Sequence, residues 1–304
     1  MSEVQGTPST LGVPGQALEV DESDADARSE VDSALGDADR LSATTSITSS
    51  ITQYREEHGR RYHAFDDSQY WLPNDDTEIE RLDIQHLVWR LTLDGKLYLA
   101  PIPDDVQDVI DIGTGKSSRA RPVSLIDKAD ASSGAGQWAI EFADAHPSAH
   151  VLGTDLSPIQ PSWVPSNCEF LVANAEDDWN LDKQYDFVHS RMLIFGIHDW
   201  PKYFRQTWET LKPGGWVEVL EPEFPIAYAD DGSVTSESPL LMHTNLVREA
   251  CAIDGIDSTV TRRFGEMLRA QGFVNVKEEI TSWPIGTWPK GAREKQVSHC
   301  SLLS

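Results

Sequence analysis

The feature that most constrains the fold is an alternation of short apolar segments with helical patterns that begins after Pro103. Strand, helix, strand at this spacing predicts parallel pairing through right-handed crossovers, and therefore an open α/β sheet. The predicted strands cover 107–112, 150–155, 168–173, 185–189, 215–221 and a segment near 273–281, and the predicted helices cover 136–146, 201–212, 239–253 and 261–271.

Residues 1–52 have a different composition, rich in Ser, Thr, Gly, Asp and Ala, and no aromatic residue appears before Tyr54. Such a segment cannot bury enough apolar surface to offset its ordering entropy, so we predict a disordered acidic tail and an ordered domain over 53–304. We favour a solubilising tail. The alternative is a regulatory or docking segment, because the Ser/Thr cluster SATTSITSS could be phosphorylated.

A helical pattern precedes the alternating region and predicts an N-terminal helical cover. Asp75 or Thr77 can cap this helix. Its apolar residues recur at helical spacing at Ile79, Leu82, Leu87 and Leu91.

Charge and composition exclude several classes of protein. The net charge of -25 argues against direct nucleic-acid binding and against anionic membrane surfaces. No apolar run approaches the roughly 20 residues of a membrane-spanning helix, and no signal peptide is recognisable. The three cysteines have no metal-ligand spacing, so we predict reduced thiols, no metal and an intracellular protein.

Two glycine turns flank the predicted first crossover. The first strand ends in Asp111-Ile112-Gly113-Thr114-Gly115, and a second turn ending at Gly136 opens the next helix. Glycines let a backbone approach a ligand closely, and a helix N-terminus offers unpaired N–H groups. The turns therefore indicate a nucleotide site, although a turn of this kind can also serve packing only. The segment GTGKSS lacks the spacing of a phosphate-binding P-loop.

Polar residues stand at the tips of the following strands, where ligands bind in open α/β sheets. Asp155 could accept hydrogen bonds from both hydroxyls of a ribose, or it could cap the next turn together with Ser157. The third strand ends near Asn174, Ala175, Glu176 and Asp177, which could reach an adenine edge. The fourth strand ends in His189, Ser190 and Arg191.

These features fit an NAD-dependent oxidoreductase as well as a methyltransferase, but three of them favour the methyltransferase. Only one helix separates the glycine turn from the acidic tip at Asp155. A polar-acidic pair follows the third strand, and LKPGGWVEVLEPE is a common opening of the fifth strand in S-adenosylmethionine-dependent enzymes.

Residues from about 62 to 295 resemble the fungal LaeA-like methyltransferases, through YWLPNDDTEIERLDIQH, the divided DIGTG…GAGQWAIEF, YDFVHSRML, LKPGGWVEVLE and SWPIGTWPK. The resemblance implies a class I methyltransferase (Rossmann-like) fold with S-adenosylmethionine as cofactor. Asp111, Gly113 and Gly115 would line its methionine part, Asp155 its ribose, and Glu176 and Asp177 its adenine. The full predicted cofactor set is Asp111, Gly113, Thr114, Gly115, Gly136, Asp155, Leu156, Asn174, Ala175, Glu176, Asp177, Ser190 and Arg191.

Methyl transfer from such a cofactor needs alignment and desolvation, and a base only where the acceptor must lose a proton. His189 is the candidate base, although we favour a structural histidine beneath the cofactor. His63, His86 and His198 are interpreted as structural or surface residues. Tyr70, Trp71 and Asn74 either form part of a lid or pack the N-terminal helix onto the sheet.

Two departures from the family pattern bear on activity. Nineteen residues, 116–134, divide the glycine motif, and they represent either a retained intron or a genuine surface loop. The chain also ends where the family continues, so we expect the last strand to be missing and the protein to be poorly stable.

The predicted function is that of a methyltransferase of the fungal secondary-metabolism regulator type, impaired by the insertion and the truncation. The alternative is a non-catalytic regulatory or interaction protein that retains the fold. The methyl acceptor stays open between a small metabolite, a protein side chain and automethylation. We expect protein partners in a regulatory complex and a cytoplasmic or nuclear location.

Overall fold

The structure is a computed structural model that describes residues 54–63, 72–115, 136–157, 164–224, 234–286 and 288–301. The predicted disordered tail, the insertion at 116–134 and the lid candidates Tyr70 and Trp71 lie outside the described residues. The predictions made for them therefore stay predictions.

The described residues form seven strands and six helices. The strands are β1 (Arg55–Glu57), β2 (Arg60–Tyr62), β3 (Asp108–Ile112), β4 (His150–Asp155), β5 (Cys168–Val172), β6 (Tyr185–Arg191) and β7 (Leu211–Leu220). The helices are α1 (Asp76–Thr92), α2 (Gln137–Ala145), α3 (Trp200–Thr210), α4 (Pro239–Ile253), α5 (Phe264–Gln271) and α6 (Ala292–Ser301), with a 3₁₀ turn at Val260–Arg263.

Five of these strands form one parallel sheet in the order β5-β4-β3-β6-β7. The chain steps outward from β3 through β4 to β5, and it then returns to the other side of β3 for β6 and β7. The order therefore reverses between β3 and β6, which is the place where open α/β sheets bind their ligands. The predicted α/β sheet is confirmed.

The two faces of the sheet carry separate cores because successive side chains of a strand point to opposite faces. Val109 and Phe187 pack with Trp138 and Phe142 of α2 on one face. The opposite face packs against α3 and is formed by a second cluster that includes Ile110, Val188, Tyr203 and Phe204. These cores hold β3 and β6 side by side and fix the register of Asp111 opposite His189.

Helix α1 begins at the predicted cap. Asp75 accepts a hydrogen bond from the Glu78 amide at 3.1 Å. The Arg60 guanidinium also bonds Asp75, and this bond lowers the pKa of the carboxyl group to about 2. The end of α1 is held by Trp283, whose indole N–H donates to the Thr92 hydroxyl at 2.8 Å.

The predicted strand near 273–281 is wrong, because those residues are described and contain no strand. A strand needs a neighbour for its backbone N–H and C=O groups. Strand β7 is the outermost strand of the described sheet, and it does not pair with this segment. Val274 and Ile280 are 79% and 85% exposed there, so apolar residues that would face a core in a strand lie in solvent. Helix α6 was not predicted.

Within the described ranges, no helix combines the length and the apolar character that crossing a membrane requires.

Candidate functional site

The two halves of the divided glycine motif meet in the structure. The Thr114 amide donates to the Thr154 carbonyl of β4 at 2.9 Å, and the Gly136 amide donates to the Thr114 carbonyl at 3.2 Å. Gly113, Gly115 and Gly136 all have left-handed backbones, with φ of 68°, 82° and 68°. Helix α2 therefore starts directly beside the turn after β3, although residues 116–135 separate them in sequence.

Close packing explains two of these glycines in addition to their backbone angles. A Cβ atom on Gly113 would lie 2.3 Å from Leu193 Cδ2, and one on Gly136 would lie 2.2 Å from Cζ of Phe170. Gly115 differs, because among the described residues the atom nearest to its Cβ position is Leu82 Cδ1 of helix α1, at the ordinary contact distance of 3.9 Å. The cover helix therefore faces the turn at Gly115.

Asp155 at the tip of β4 is bonded to the glycine turn. Its Oδ2 accepts from the Gly115 amide at 3.0 Å, and its Oδ1 accepts from the Ser157 amide at 3.1 Å. A carboxylate has about four acceptor positions, which is more than these two bonds use. Desolvation of the carboxylate raises the pKa of Asp155 to about 6, and the Asp111 charge acts in the same direction against the amide bonds. Both expected roles, cap and acceptor for hydroxyl groups, are compatible with this geometry.

The segment before α1 reaches the same tip. Asn74 is 6% exposed, and its side-chain amide donates to the Ser157 hydroxyl at 3.3 Å. Of the three residues proposed for a lid, Asn74 is thus placed against the β4 tip.

The loop after β5 is organised by its own residues. Asn174 Oδ1 accepts from the Glu176 amide at 3.0 Å, which forms an Asx turn. Glu176 holds His198, whose amide and Nδ1 lie 2.7 Å and 2.9 Å from the two carboxylate oxygens. Asp177 is exposed and Ala175 packs against the core. Glu176 thus has a structural partner that the sequence did not indicate.

His189 is fully buried. Its Nδ1 lies 2.7 Å from Asp111 Oδ1 on the neighbouring strand. Its ring stacks on Trp138 with the centroids 3.7 Å apart and the planes 1° apart. Nε2 has no hydrogen-bond partner among the described residues. This position behind the glycine turn favours a structural role over that of a base.

Arg191 joins the tip of β6 to the cover helix. Its guanidinium lies 3.1 Å from Nδ1 of His86, and Nε2 of His86 lies 3.2 Å from Glu141 of α2. Arg90 also pairs with Glu141. Burial lowers the pKa of Arg191 to about 10, against the charges of Asp111, Glu141 and Glu221. His86, interpreted from sequence as a structural or surface residue, is buried between Arg191 and Glu141. Glu141 was not singled out from the sequence, because it meets His86 only when α1 lies over α2.

The turn after β6 is held by an acid at the end of β7. Glu221 accepts from the Leu193 amide at 2.6 Å and from the Ile194 amide at 3.0 Å. Desolvation raises the pKa of Glu221 to about 8, although the residue as a whole keeps some solvent exposure. Two further predicted residues lie at the same edge of the sheet: Ser190 is fully buried and Leu156 is partly buried.

The described residues contain no group of three or more His, Cys, Asp or Glu side chains placed to hold a metal ion. The three cysteines are unpaired with one another as disulfides, and Cys168 and Cys251 are buried.

A parallel sheet with this order, a glycine turn after β3 and an acid at the tip of β4 define a Rossmann-like class I methyltransferase fold. A family described as a methyltransferase domain matches residues 129–278, which include the second half of the glycine motif. The chain belongs to the fungal LaeA-like methyltransferases, as its relatives show.

Three relatives carry this assignment. The chain is 36% identical over 272 residues to the methyltransferase pytC of Aspergillus terreus, an alignment that covers 88% of this chain and 77% of pytC. It is 31% identical to the secondary metabolism regulator LAE1 of Cochliobolus heterostrophus, with coverage of 79% and 74%. It is 30% identical to the protein-methionine methyltransferase laeA of Emericella nidulans, with coverage of 85% and 64%, so it spans less than two thirds of laeA.

Solved structures resemble the chain at lower sequence identity. One is a chain from the complex of the Haloferax volcanii Trm112 methyltransferase activator with a methyltransferase, with a TM-score of 0.46, 18% identity and coverage of 75% and 90%. Another is phosphoethanolamine N-methyltransferase 2 of Haemonchus contortus with S-adenosyl-L-methionine, with a TM-score of 0.42, 15% identity and coverage of 78% and 59%. The family assignment rests on the sequence relatives and the sheet order.

Proposed function

We propose that the chain is an S-adenosylmethionine-dependent methyltransferase whose cofactor lies across the turn between β3 and α2. The observation that carries this proposal is the closed glycine turn, in which the Gly136 amide bonds the Thr114 carbonyl and the Gly115 amide bonds Asp155. An intact turn at the switch point provides the backbone surface on which such a cofactor would lie.

The residues that would hold the cofactor follow from the positions of the strand tips. The backbone at Gly115, which Leu82 faces, would contact the methionine part of the cofactor. Asp155 would accept the ribose hydroxyls through its remaining lone pairs. The Asx turn of Asn174, together with the exposed Asp177, would flank the adenine. When bound, S-adenosylmethionine supplies a methyl group already activated on a sulfonium.

The charges at this edge of the sheet suit a cationic ligand. Carboxylates of Asp111, Glu141 and Glu221 lie around the guanidinium of Arg191, and the charge of Asp111 also acts on Asp155. An acid-rich cleft raises the local concentration of cations and disfavours anions. The cofactor carries a sulfonium and an ammonium group beside one carboxylate, and Arg191 provides a cation within the acidic surroundings.

The names of the relatives point to the biological setting. LAE1 is named as a secondary metabolism regulator and laeA as a protein-methionine methyltransferase. We propose that this chain methylates an acceptor within fungal secondary metabolism, and that it works beside protein partners in the cytoplasm or the nucleus. The closed turn favours this enzyme over the alternative of a non-catalytic interaction protein, because interaction alone does not require an intact cofactor surface.

Calorimetric titration of the full chain with S-adenosylhomocysteine tests the proposal. We expect saturable binding, and we expect Asp155→Asn to weaken it at least tenfold. Asp178→Asn is the matched control, because the Asp178 side chain is 83% exposed and sits near the third strand tip. Absence of binding both by the full chain and by a version lacking 116–134 would overturn the proposal. Pull-down and fluorescence imaging test the partners and the location.

A further inference from the structure

The turn that follows β6 contains an unfavourable backbone conformation, which hydrogen bonds from neighbouring residues must stabilise. Met192 has φ of 61°, in the left-handed region that a non-glycine side chain disfavours. Three hydrogen bonds tie the turn to the end of β7: Met192 N–H to the Leu220 carbonyl at 3.0 Å, and the Leu193 and Ile194 amides to the two oxygens of Glu221. Two of the three bonds therefore depend on one side chain.

This turn packs against the glycine turn of the proposed cofactor site. Leu193 Cδ2 occupies the place that a Cβ atom on Gly113 would need, at 2.3 Å. Ile194 on the other side is fully buried in the core. Two contacts therefore fix the position of Leu193. Its backbone amide is bonded to the Glu221 side chain, and its own side chain packs on Gly113. A shift of the turn would displace the wall of the site.

An acid within β7, Glu218, supplies an internal comparison. Oε2 of Glu218 accepts from the Leu99 and Ala100 amides at 2.8 Å and 2.6 Å. Glu218 lies within β7, and Glu221 directly follows the strand. Both acids hold a connection by two backbone amides, and the connection held by Glu221 contacts the glycine turn through Leu193 and Gly113.

We propose that Glu221 is a positioning residue for cofactor binding, which holds Met192–Ile194 against Gly113 and so fixes one wall of the site. This inference rests on the proposed function. Glu221 acts through Leu193 and does not itself touch the cofactor. The acid suits the task because each of its two carboxyl oxygens can accept from one backbone N–H group.

The test compares Glu221→Gln with the matched variant Glu218→Gln. A glutamine oxygen can accept from one amide, while its NH₂ group faces the other amide donor. We expect Glu221→Gln to speed hydrogen exchange at Leu193 and Ile194 at least tenfold and to weaken S-adenosylhomocysteine binding about tenfold. Glu218→Gln should speed exchange at Leu99 and Ala100 and leave the affinity within twofold of wild type.

A second variant keeps the test decisive if Glu221→Gln does not fold. Leu193→Ala leaves the acid and both amides in place and removes the side chain that lies on Gly113. We expect it to weaken S-adenosylhomocysteine binding several-fold without faster exchange at Ile194. Wild-type affinity in Leu193→Ala, or faster exchange in Glu221→Gln with wild-type affinity, would overturn the inference. Absence of S-adenosylhomocysteine binding both by the wild-type chain and by the version lacking 116–134 would instead defeat the proposed function itself.

Discussion

The two sides of the switch point hold their parts of the site by different means. On the β3–β4 side, two bonds between backbone groups hold the turn, from the Thr114 amide to the Thr154 carbonyl and from the Gly136 amide to the Thr114 carbonyl. The Asp155 side chain adds one bond to this backbone-built side, from the Gly115 amide. On the β6–β7 side, the carboxyl group of Glu221, directly after β7, accepts from both the Leu193 and the Ile194 amides. The first side should therefore be more sensitive to a side chain added at Gly136, and the second should depend more on a single acid.

The largest effect is expected on the backbone-built side, from Gly136→Ala. The new Cβ would meet a left-handed backbone and the Phe170 ring at 2.2 Å, which together should cost about 3 kcal/mol of unfolding free energy. Cofactor binding should be lost with it. Gly95→Ala is the control, because Gly95 has φ of 78° with no atom near the Cβ position, and it should cost about 1 kcal/mol. Equal losses in urea unfolding would contradict the role of Phe170.

A smaller effect is expected where the two sides are joined, at the buried pair of Asp111 and His189. Asp111→Asn should cost about 2 kcal/mol of unfolding free energy, since a buried hydrogen bond to a charged group is weakened. The control is Glu169→Gln, in which the acid lies 3.1 Å from His150 and is 61% exposed. That exposed pair should contribute under about 1 kcal/mol. A larger loss for Glu169→Gln would reverse the order that burial predicts.

The side held by Glu221 should respond to pH. Because the pKa of Glu221 is raised to about 8, the folded state binds its proton more tightly than the unfolded state, where the ordinary value is 4.5. The stability from this group is therefore complete below about pH 4.5 and is lost as pH rises through 8. Arg191, the cation facing this acid, moderates the loss.

Between pH 7 and 8, the unfolding free energy of wild type should fall by about 1 kcal/mol relative to that of Glu221→Gln. The largest change that a single titrating group can cause is about 1.4 kcal/mol per pH unit. Tyr203, the other titratable group that senses Glu221, has a raised pKa because of burial and stays protonated in this window. Parallel stability curves for the two proteins would show that Glu221 does not titrate there.

Asp155 should give the backbone-built side its own, more acidic pH response. Its pKa is raised to about 6, so S-adenosylhomocysteine affinity should fall about tenfold between pH 7 and 5 as the acceptor is protonated. Asp155→Asn should bind weakly at both pH values. A wild-type affinity that is constant over this pH range would show that Asp155 does not bind the ligand.

The smallest effect is expected from removing 116–134. The Gly136 amide already reaches Thr114, so we expect the shortened chain to bind S-adenosylhomocysteine within threefold of the full chain. A large gain in affinity on deletion would show that the insertion obstructs the site and would support the retained-intron hypothesis.

Much of the fold and part of the site could be predicted from sequence. The predictable features are local ones: the strand and helix patterns, the Asp75 cap and the glycine motif. They can be predicted because the spacing of apolar residues and the residue types in turns indicate them directly. The segment near 273–281 has the pattern of a strand, but pairing needs a neighbouring strand that local pattern does not reveal. The divided glycine motif likewise indicates the family without indicating that its halves meet.

The sequence by itself determined the α/β class, the family and the residues at the strand tips, because these depend on periodicity and on short motifs. Only the tertiary structure decided which distant side chains and backbone groups contact one another. The engagement of Glu176 with His198, of His86 with Arg191 and Glu141, and of Glu221 with the turn after β6 joins residues that lie 22 to 105 positions apart. Such pairs form where the sheet order and the cover helix bring distant segments together, and no local pattern encodes that proximity.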